Sequence, residues 1–492
     1  MVLGSILGYL RNKTILITGA TGFLGMVLVE KILRVQPDVK RLYLLLRATD
    51  PESAKNRMYH EIIGQELFSV LREKWGADFD SFISQKLVAL AGDVTSENLG
   101  MSEFSLMEEM CREIQIIFHS AAATNFDERY DASLGVNTFG VLHMLSFANK
   151  CINLEILLHV STAYLCGERS GLIPEDLSSM TKMVNETINF NFALEEKNMV
   201  DEKLNELKAE DASQEVITNT MKDFGTERAK FNGWPNTYVF TKAMGEILLR
   251  RSKNNLPFVI LRPTIITSTY KEPFSGWIQG YRTVDSIIAM YGKGKLTCLL
   301  VDPMTVADMI PVDMVINSII AAAVVNANKS SGTIYQMGSS LRNPIKFSES
   351  HDIVFRYFNL NPWLNQNGEP VKVSKVTILK SMAAFQMYLA IHYVLPMKGF
   401  ELVNKAFGGY FQVMYDNYDR KLKTVMRMVE LYAPYLLFKG IFDDTNTVEL
   451  RRITSESFIE AEDFNFDPKC IDWEDYLINT HIPGFLKHVA IK

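Results

Sequence analysis

Short, uninterrupted apolar runs recur through the first half of the chain, each closed by small residues and followed by a stretch of helical period. Thr14-Ile15-Leu16-Ile17 is the first; Gly19, Gly22 and Gly25 break it, and Met26-Val27-Leu28-Val29 resumes as a helix. Runs of this length without polar alternation read as strands buried on both faces. The same texture returns at 41–47, 86–90, 114–118, 154–160 and 258–263, with residues 50–85 mixed in charge and helical between two of them. Strands alternating with helices predict an α/β fold, a Rossmann-type doubly wound parallel sheet.

Composition narrows the function classes. At 492 residues the chain has room for two or three cores, so additions to a nucleotide-binding domain are expected. A net charge of −6 without a Lys/Arg block argues against a nucleic-acid partner. The cysteines, Cys111, Cys151, Cys166, Cys298 and Cys470, are scattered, odd in number and lack C-x-x-C spacing, the usage of a reducing compartment with no metal site implied. Only MVLGSILGYLRN precedes the first strand, too little for a signal or transit peptide, so the expected location is the cytosol or the cytoplasmic side of the endoplasmic reticulum and not a plastid.

The first strand-to-helix turn carries the strongest chemical signal. A strand turning sharply into a helix aims the free N–H groups of that helix at whatever occupies the turn, and anions bind there. The spacing of Gly19, Gly22 and Gly25 suits a dinucleotide pyrophosphate, with Thr21, Phe23 and Leu24 completing the cradle. The second strand ends on Arg47, where NAD enzymes of this fold place an acid for the ribose 2′-hydroxyl. An arginine suits a 2′-phosphate instead, so NADPH is predicted over NADH, with Arg57 as a helper. Asp93, followed by Val94, stands at a strand end suited to an adenine amine. Ala121 and Ala122 let a cofactor lie against the backbone, and Asn137 brings an amide toward the crevice.

The fifth strand delivers Ser161-Thr162-Ala163-Tyr164 to the same sheet edge. Tyr238 and Lys242 follow on one face of a helix, four residues apart. A cation beside a phenol favours phenolate and makes it a proton donor and acceptor near neutrality. Tyr-x-x-x-Lys spacing also occurs at Tyr9/Lys13, Tyr291/Lys295 and Tyr435/Lys439, but only Tyr238 lies between the Ser161-Thr162 strand and another strand, 258–263, that ends on Pro263. Thr162 is the chosen second hydroxyl, with Ser161 as the alternative. The histidines, His392 included, read as structural.

Together TGATGFLG, Asp93, HSAAA, Asn137, VSTAY, YVFTK and LRPT, in that order over residues 13–264, resemble the extended short-chain dehydrogenase/reductase family. Within it, TGATGFLGMVLVEKILR, YLLLRA, YVFTKAMGE and the ending FNFDPKCIDWEDYLINTHIPGFLKHV are similar to the alcohol-forming fatty acyl-CoA reductases of plants. The resemblance implies a reductase domain over 1–350 with a helical insertion at about 184–230, and a mostly helical second domain over 351–492. It also implies NADPH-dependent reduction of a long-chain fatty acyl-CoA to an aldehyde and then a primary alcohol, for wax, cuticle or suberin-type lipid synthesis. Tyr238 would protonate the alkoxide, Thr162 would hold the carbonyl oxygen, and Lys242 would tune Tyr238 and bind the nicotinamide ribose. A nucleotide-sugar epimerase, a hydroxysteroid dehydrogenase or a non-catalytic NADPH-binding protein are the alternatives.

A long acyl chain needs apolar surface, at about 0.8 kcal/mol for each buried methylene. Residues 376–400 are the most apolar stretch of the C-terminal third, and 429–442 the next. Between Lys380 and Lys398 the run falls short of the roughly 20 residues a spanning helix needs and contains Gln386, His392 and Pro396. A packed core helix is the first expectation; the others are a wall of an acyl tunnel and an interfacial helix giving peripheral membrane association. The charge-dense 184–230 stretch reads as a solvated surface insertion.

Overall fold

The computed structural model describes residues 4–176, 188–252, 255–330 and 332–490. Seven parallel strands form the central sheet: β1 (Thr14–Thr18), β2 (Arg41–Leu46), β3 (Leu87–Ala91), β4 (Ile116–His119), β5 (Ile156–Val160), β6 (Phe258–Pro263) and β7 (Ile334–Met337). Their spatial order is β7-β6-β5-β4-β1-β2-β3. Ile15 and Ile17 join the core on one face and Leu16 the core on the other, so both faces are covered, as the unbroken apolar runs require. The strand order reverses between β1 and β4, which opens a crevice at their carboxyl ends. The four-residue β7 has no counterpart among the predicted strands.

The insertion is helical and its charged faces are solvated, as expected. Residues 184–187 lie outside the described residues; the remainder is a pair of helices, Phe190–Ala209 and Gln214–Phe231. What the charge pattern did not foretell is an inner seam: the pair buries Ala193, Val200, Ile217, Met221 and Ala229 against Tyr130, Phe240 and Ile247. Glu196 is fully buried, where the Tyr130 hydroxyl donates to it at 2.8 Å and Arg228 Nε at 3.0 Å. Sequence charge density hid a helix with one apolar seam.

The C-terminal third closes onto the sheet domain. Leu450, Phe464, Tyr476 and Phe485 share one core with Ile15 and Val27. Lys439–Phe442 pairs in parallel with Ser170–Ile173. Gly484 lies so near residue 276 that a Cβ on it would stand 1.9 Å from the Gly276 carbonyl oxygen.

The packed core helix expected within 376–400 is not what forms. The segment breaks into Met382–Leu389, a π-turn over Ala390–Val394 and Leu395–Ala406, and only Phe385, Leu389 and Asn404 of these are buried. Phe385 and Leu389 meet Leu300 and Ala433, one narrow seam. The apolar residues around the other flanks, Met387, Ile391, Leu395 and Leu402 among them, remain exposed. A long helix, Gln412–Leu436, returns the chain toward the sheet.

Helix Thr237–Arg251 packs on the π-turn Gly135–Phe139 through Gly245, where a Cβ would come within 2.1 Å of the Asn137 carbonyl oxygen. Backbone cannot yield there as a flexible side chain does, so Gly245→Ala is expected to lower stability by about 1–3 kcal/mol. Gly399 meets nothing within 4 Å and lies within a helix, so Gly399→Ala is expected to raise it by roughly 0.5–1 kcal/mol. Urea denaturation of both variants checks the contrast.

Candidate active site

The glycine turn at the end of β1 is shaped by close backbone approach. Gly19 has φ +72°, and a Cβ there would stand 2.8 Å from the Ala121 amide nitrogen. Gly22 caps helix Phe23–Val35 without a side-chain bond, and its N–H donates to the Gly19 carbonyl at 2.9 Å. A Cβ on Gly25 would come within 2.3 Å of that same carbonyl. The first-turn N–H groups of Phe23, Leu24 and Gly25 have no partner within an α-helix, the feature by which helix N-termini hold phosphates. Gln279 Nε2 donates to the Thr21 carbonyl at 3.2 Å, and the Phe23 ring meets Trp277 at 5.6 Å.

Around this turn the predicted contacts sort by what their side chains already do. Arg47 is exposed at the end of β2. Arg57 is committed: Nε donates to Glu61 at 2.6 Å and Nη1 to the Arg47 carbonyl at 2.5 Å. Asp93 accepts the Thr95 N–H at 2.9 Å, and Val94 beside it is buried. Ala121 and Ala122 line the end of β4, and Pro263, at the end of β6, is buried opposite Met337. Asn137 differs from expectation. Its amide donates to the Ala123 carbonyl and to Thr241 Oγ1, both at 3.0 Å, while its oxygen accepts the Ala123 N–H at 3.0 Å. The amide is thus spent on joining the Ala121–Ala123 stretch to helix Thr237–Arg251, with nothing left for the crevice.

Tyr238 sits at the carboxyl edge of β5 beside Thr162, whose hydroxyl accepts the Tyr164 N–H at 3.4 Å. Ser161 Oγ is buried without a partner among the described residues. Lys242, one turn on, is buried. Its ammonium donates to the Val160 carbonyl at 2.7 Å and lies 3.5 Å from His159 Nε2. Burial pushes the Tyr238 phenol up to about 12, against the neighbouring Thr162 hydroxyl, which favours phenolate. The phenol is therefore protonated at neutral pH, the state needed to give a proton to a nascent alkoxide. Burial pushes Lys242 down to about 8, opposed by the Glu246 carboxylate.

A layer the histidine reading did not anticipate lies beneath. His159 stacks on His119 with centroids 5.2 Å apart, and His119 Nδ1 meets Thr18 Oγ1 at 2.9 Å. Burial, then the Lys242 charge, hold both rings neutral, His119 near 3. Glu246 is fully buried against Arg262, whose Nε donates to both carboxylate oxygens at 3.1 and 3.2 Å.

Above the phenol, Phe126 stacks on Tyr238 at 5.4 Å, and Tyr432 and Tyr435 meet Phe126 at 5.0 and 4.9 Å. The latter two come from helix Gln412–Leu436. Asn236 Nδ2 donates to the Tyr435 hydroxyl at 2.8 Å, and Arg427 Nε to Asp127 at 2.5 Å. Tyr435 belongs to a Tyr-x-x-x-Lys repeat set aside on sequence grounds, yet it builds the wall around the chosen one.

A family model described as Male sterility protein matches residues 17–319, and a second of the same description matches residues 392–491. An "Alcohol-forming fatty acyl-CoA reductase" of Simmondsia chinensis is 48% identical over 489 residues, covering 99% of both chains. "Probable fatty acyl-CoA reductase 5" of Arabidopsis thaliana is 51% identical over 490 residues, 98% of this chain and 99% of its own. The chain belongs to the fatty acyl-CoA reductase family. For this family member the fold has a solved counterpart in the terminal R domain of the myxalamid PKS-NRPS pathway. That structure has a TM-score of 0.57 at 17% identity, over 97% of this chain and 91% of the other.

The buried lysine of this reductase-family chain makes stability depend on pH. Its folded pKa lies below the usual 10.5, so between about pH 8 and 10.5 the unfolded chain binds more protons and its contribution to stability rises with pH. Lys242→Met removes that contribution. The stability difference between Lys242→Met and wild type is expected to shift by about 2–3 kcal/mol in favour of wild type from pH 7.5 to 10. Urea denaturation at the two pH values measures it, and a constant difference contradicts the assignment.

Proposed function

We propose that this protein reduces long-chain fatty acyl-CoA with NADPH, through the aldehyde, to the primary fatty alcohol. The observation that carries the reading is the placement of Tyr238 beside Thr162, under Phe126, on the sheet edge that also holds the glycine cradle. The ends of β1 and β5 stand two strand spacings apart, about 10 Å, the scale of one half of a dinucleotide. NADPH, when bound, supplies a hydride at each of the two reductions.

Tyr238 donates its proton to the thioester oxygen as that oxygen gains charge, and Thr162 holds the oxygen in place. The thiohemiacetal so formed returns its proton to Tyr238, reforms a carbonyl and expels CoA as the thiolate, which takes a proton from water, leaving the aldehyde. Tyr238 repeats the donation in the second reduction, so the sum is two NADPH and two protons for each alcohol and CoA thiol. Lys242 keeps its bond to the Val160 carbonyl and turns a remaining ammonium N–H to the nicotinamide ribose. Asn137 acts as a positioning residue for the Ala121-Ala122 stretch. Phe23, Leu24 and Gly25 bind the pyrophosphate through N–H groups, Asp93 and Val94 face the adenine, and Arg47 takes the 2′-phosphate, with Arg57 bracing its carbonyl.

Among the described residues no helix is long and apolar enough to cross a membrane. The exposed hairpin bears Leu402, Val403, Phe407, Tyr410, Val413 and Met414 at its turn. Residues 395–425 add five cations to three acids in a chain of net charge −6. Apolar tips ringed by cations suit peripheral contact with an anionic lipid surface, where a long-chain acyl substrate partitions.

Incubation with NADPH and palmitoyl-CoA is expected to release CoA thiol with two NADPH oxidised for each, and a UDP-sugar to give neither. Tyr238→Phe is expected to slow the reaction about 10²–10⁴-fold. Arg47→Asp is expected to lower the NADPH-to-NADH ratio of kcat/KM at least roughly tenfold, since a charge-assisted contact of about 1.5–3 kcal/mol is lost. An unchanged ratio removes Arg47 from the cofactor site.

A further inference from the structure

Apart from the crevice, the described residues form a partly open apolar cavity of about 160 Å³ between helices Thr283–Gly292 and Phe347–Leu360. Ile287, Tyr291, Ala307, Met309, Phe347 and Val354 are among its walls. Engineered apolar cavities of about 150 Å³ stay dry and take up a six-carbon ring, so this one has room for about six carbons of hydrocarbon.

Its nearer wall begins at the candidate active site. The segment leading into Thr283–Gly292 lies on the cradle, with the Arg282 guanidinium 5.1 Å from the Phe23 ring centroid and Gln279 bonded to Thr21. Thr283, the first residue of that helix, lies beside Tyr432, which meets Phe126, which stacks on Tyr238. From there the helix extends about 15 Å at 1.5 Å per residue. Val284, Ile287, Ile288 and Tyr291 form a continuous stripe along it at helical spacing, and all four line the cavity. One helix therefore joins the phenol and the cofactor turn at its start to an apolar chamber along its flank.

We infer that the cavity receives the methyl-terminal end of the acyl chain and sets the chain length the protein prefers. The inference rests on the acyl-CoA reductase reading, and it assigns the chain to the Thr283–Gly292 flank instead of the exposed hairpin. A chain too short to reach the cavity forgoes its burial, and one that overfills it is rejected. Each methylene gained or lost there changes kcat/KM about fourfold, the equivalent of 0.8 kcal/mol.

The direct test is photocrosslinking of the full chain, with NADP⁺ present, by a palmitoyl-CoA analogue bearing a diazirine at its methyl end, mapped by peptide mass spectrometry. Adducts within 284–309 or 347–354 are expected; adducts confined to the hairpin, 382–414, overturn the inference. A second arm fills the chamber with Val354→Phe, and the ratio of kcat/KM for stearoyl-CoA to lauroyl-CoA is expected to fall at least about tenfold. An unchanged ratio in a variant whose circular dichroism and Tm match wild type overturns the inference, and the crosslink alone decides it if that variant does not fold. Failure of the wild-type protein to release thiol from any acyl-CoA overturns the reductase reading instead, a separate result because crosslinking needs binding and not turnover.

Discussion

The Lys242 ammonium is buried at the edge of the sheet, and the Val160 carbonyl 2.7 Å away is its strong partner there. A charge removed from water must be met by a fixed dipole or lose its proton. That single contact ties helix Thr237–Arg251 to the end of β5. Everything else at the site follows from where the helix is then held: Tyr238 one turn earlier meets Thr162, Thr241 meets Asn137, and Gly245 lets the backbone of the π-turn come close. Asn137 carries the tie on to Ala123 and so to the alanines against which Gly19 packs. Cradle and phenol are thereby linked through one unbroken set of short contacts.

The C-terminal third takes part in this arrangement. Tyr432 and Tyr435 cover Phe126, which covers Tyr238, and Arg427 holds Asp127 at the same place. A phenol without that cover would stand in water and keep its ordinary acidity; beneath it, burial holds the proton on. The same helix that brings these tyrosines supports the exposed apolar hairpin at its other end. The part of the chain that meets the surroundings is thus continuous with the part that walls the reacting centre.

Much of the sheet domain was legible because its signals are local. A buried parallel strand is an apolar run, and the turn after β1 admits only glycine where a Cβ would strike the Ala121 backbone. Thr162, Tyr238 and Lys242 were legible from their order along the chain. What they do to one another was not, since the direction of a lysine side chain depends on a carbonyl from a distant strand. Asn137 was read as a ligand for the same reason; its partners, Ala123 and Thr241, are only brought to it by folding. The apolar segment 382–406 was misread because composition cannot tell a helix buried all round from one with a single narrow seam. Phe126 and Tyr435, some three hundred residues apart in the chain, carry no local signal at all.

The most direct measurement is a crystal structure of the protein with NADP⁺ bound. The account predicts the pyrophosphate on the amides of Phe23 to Gly25, and the nicotinamide ring placed so that a carbonyl about 3–3.5 Å from its C4 also reaches the Tyr238 hydroxyl. A nicotinamide lying elsewhere, with Tyr238 facing only its aromatic neighbours, would contradict it.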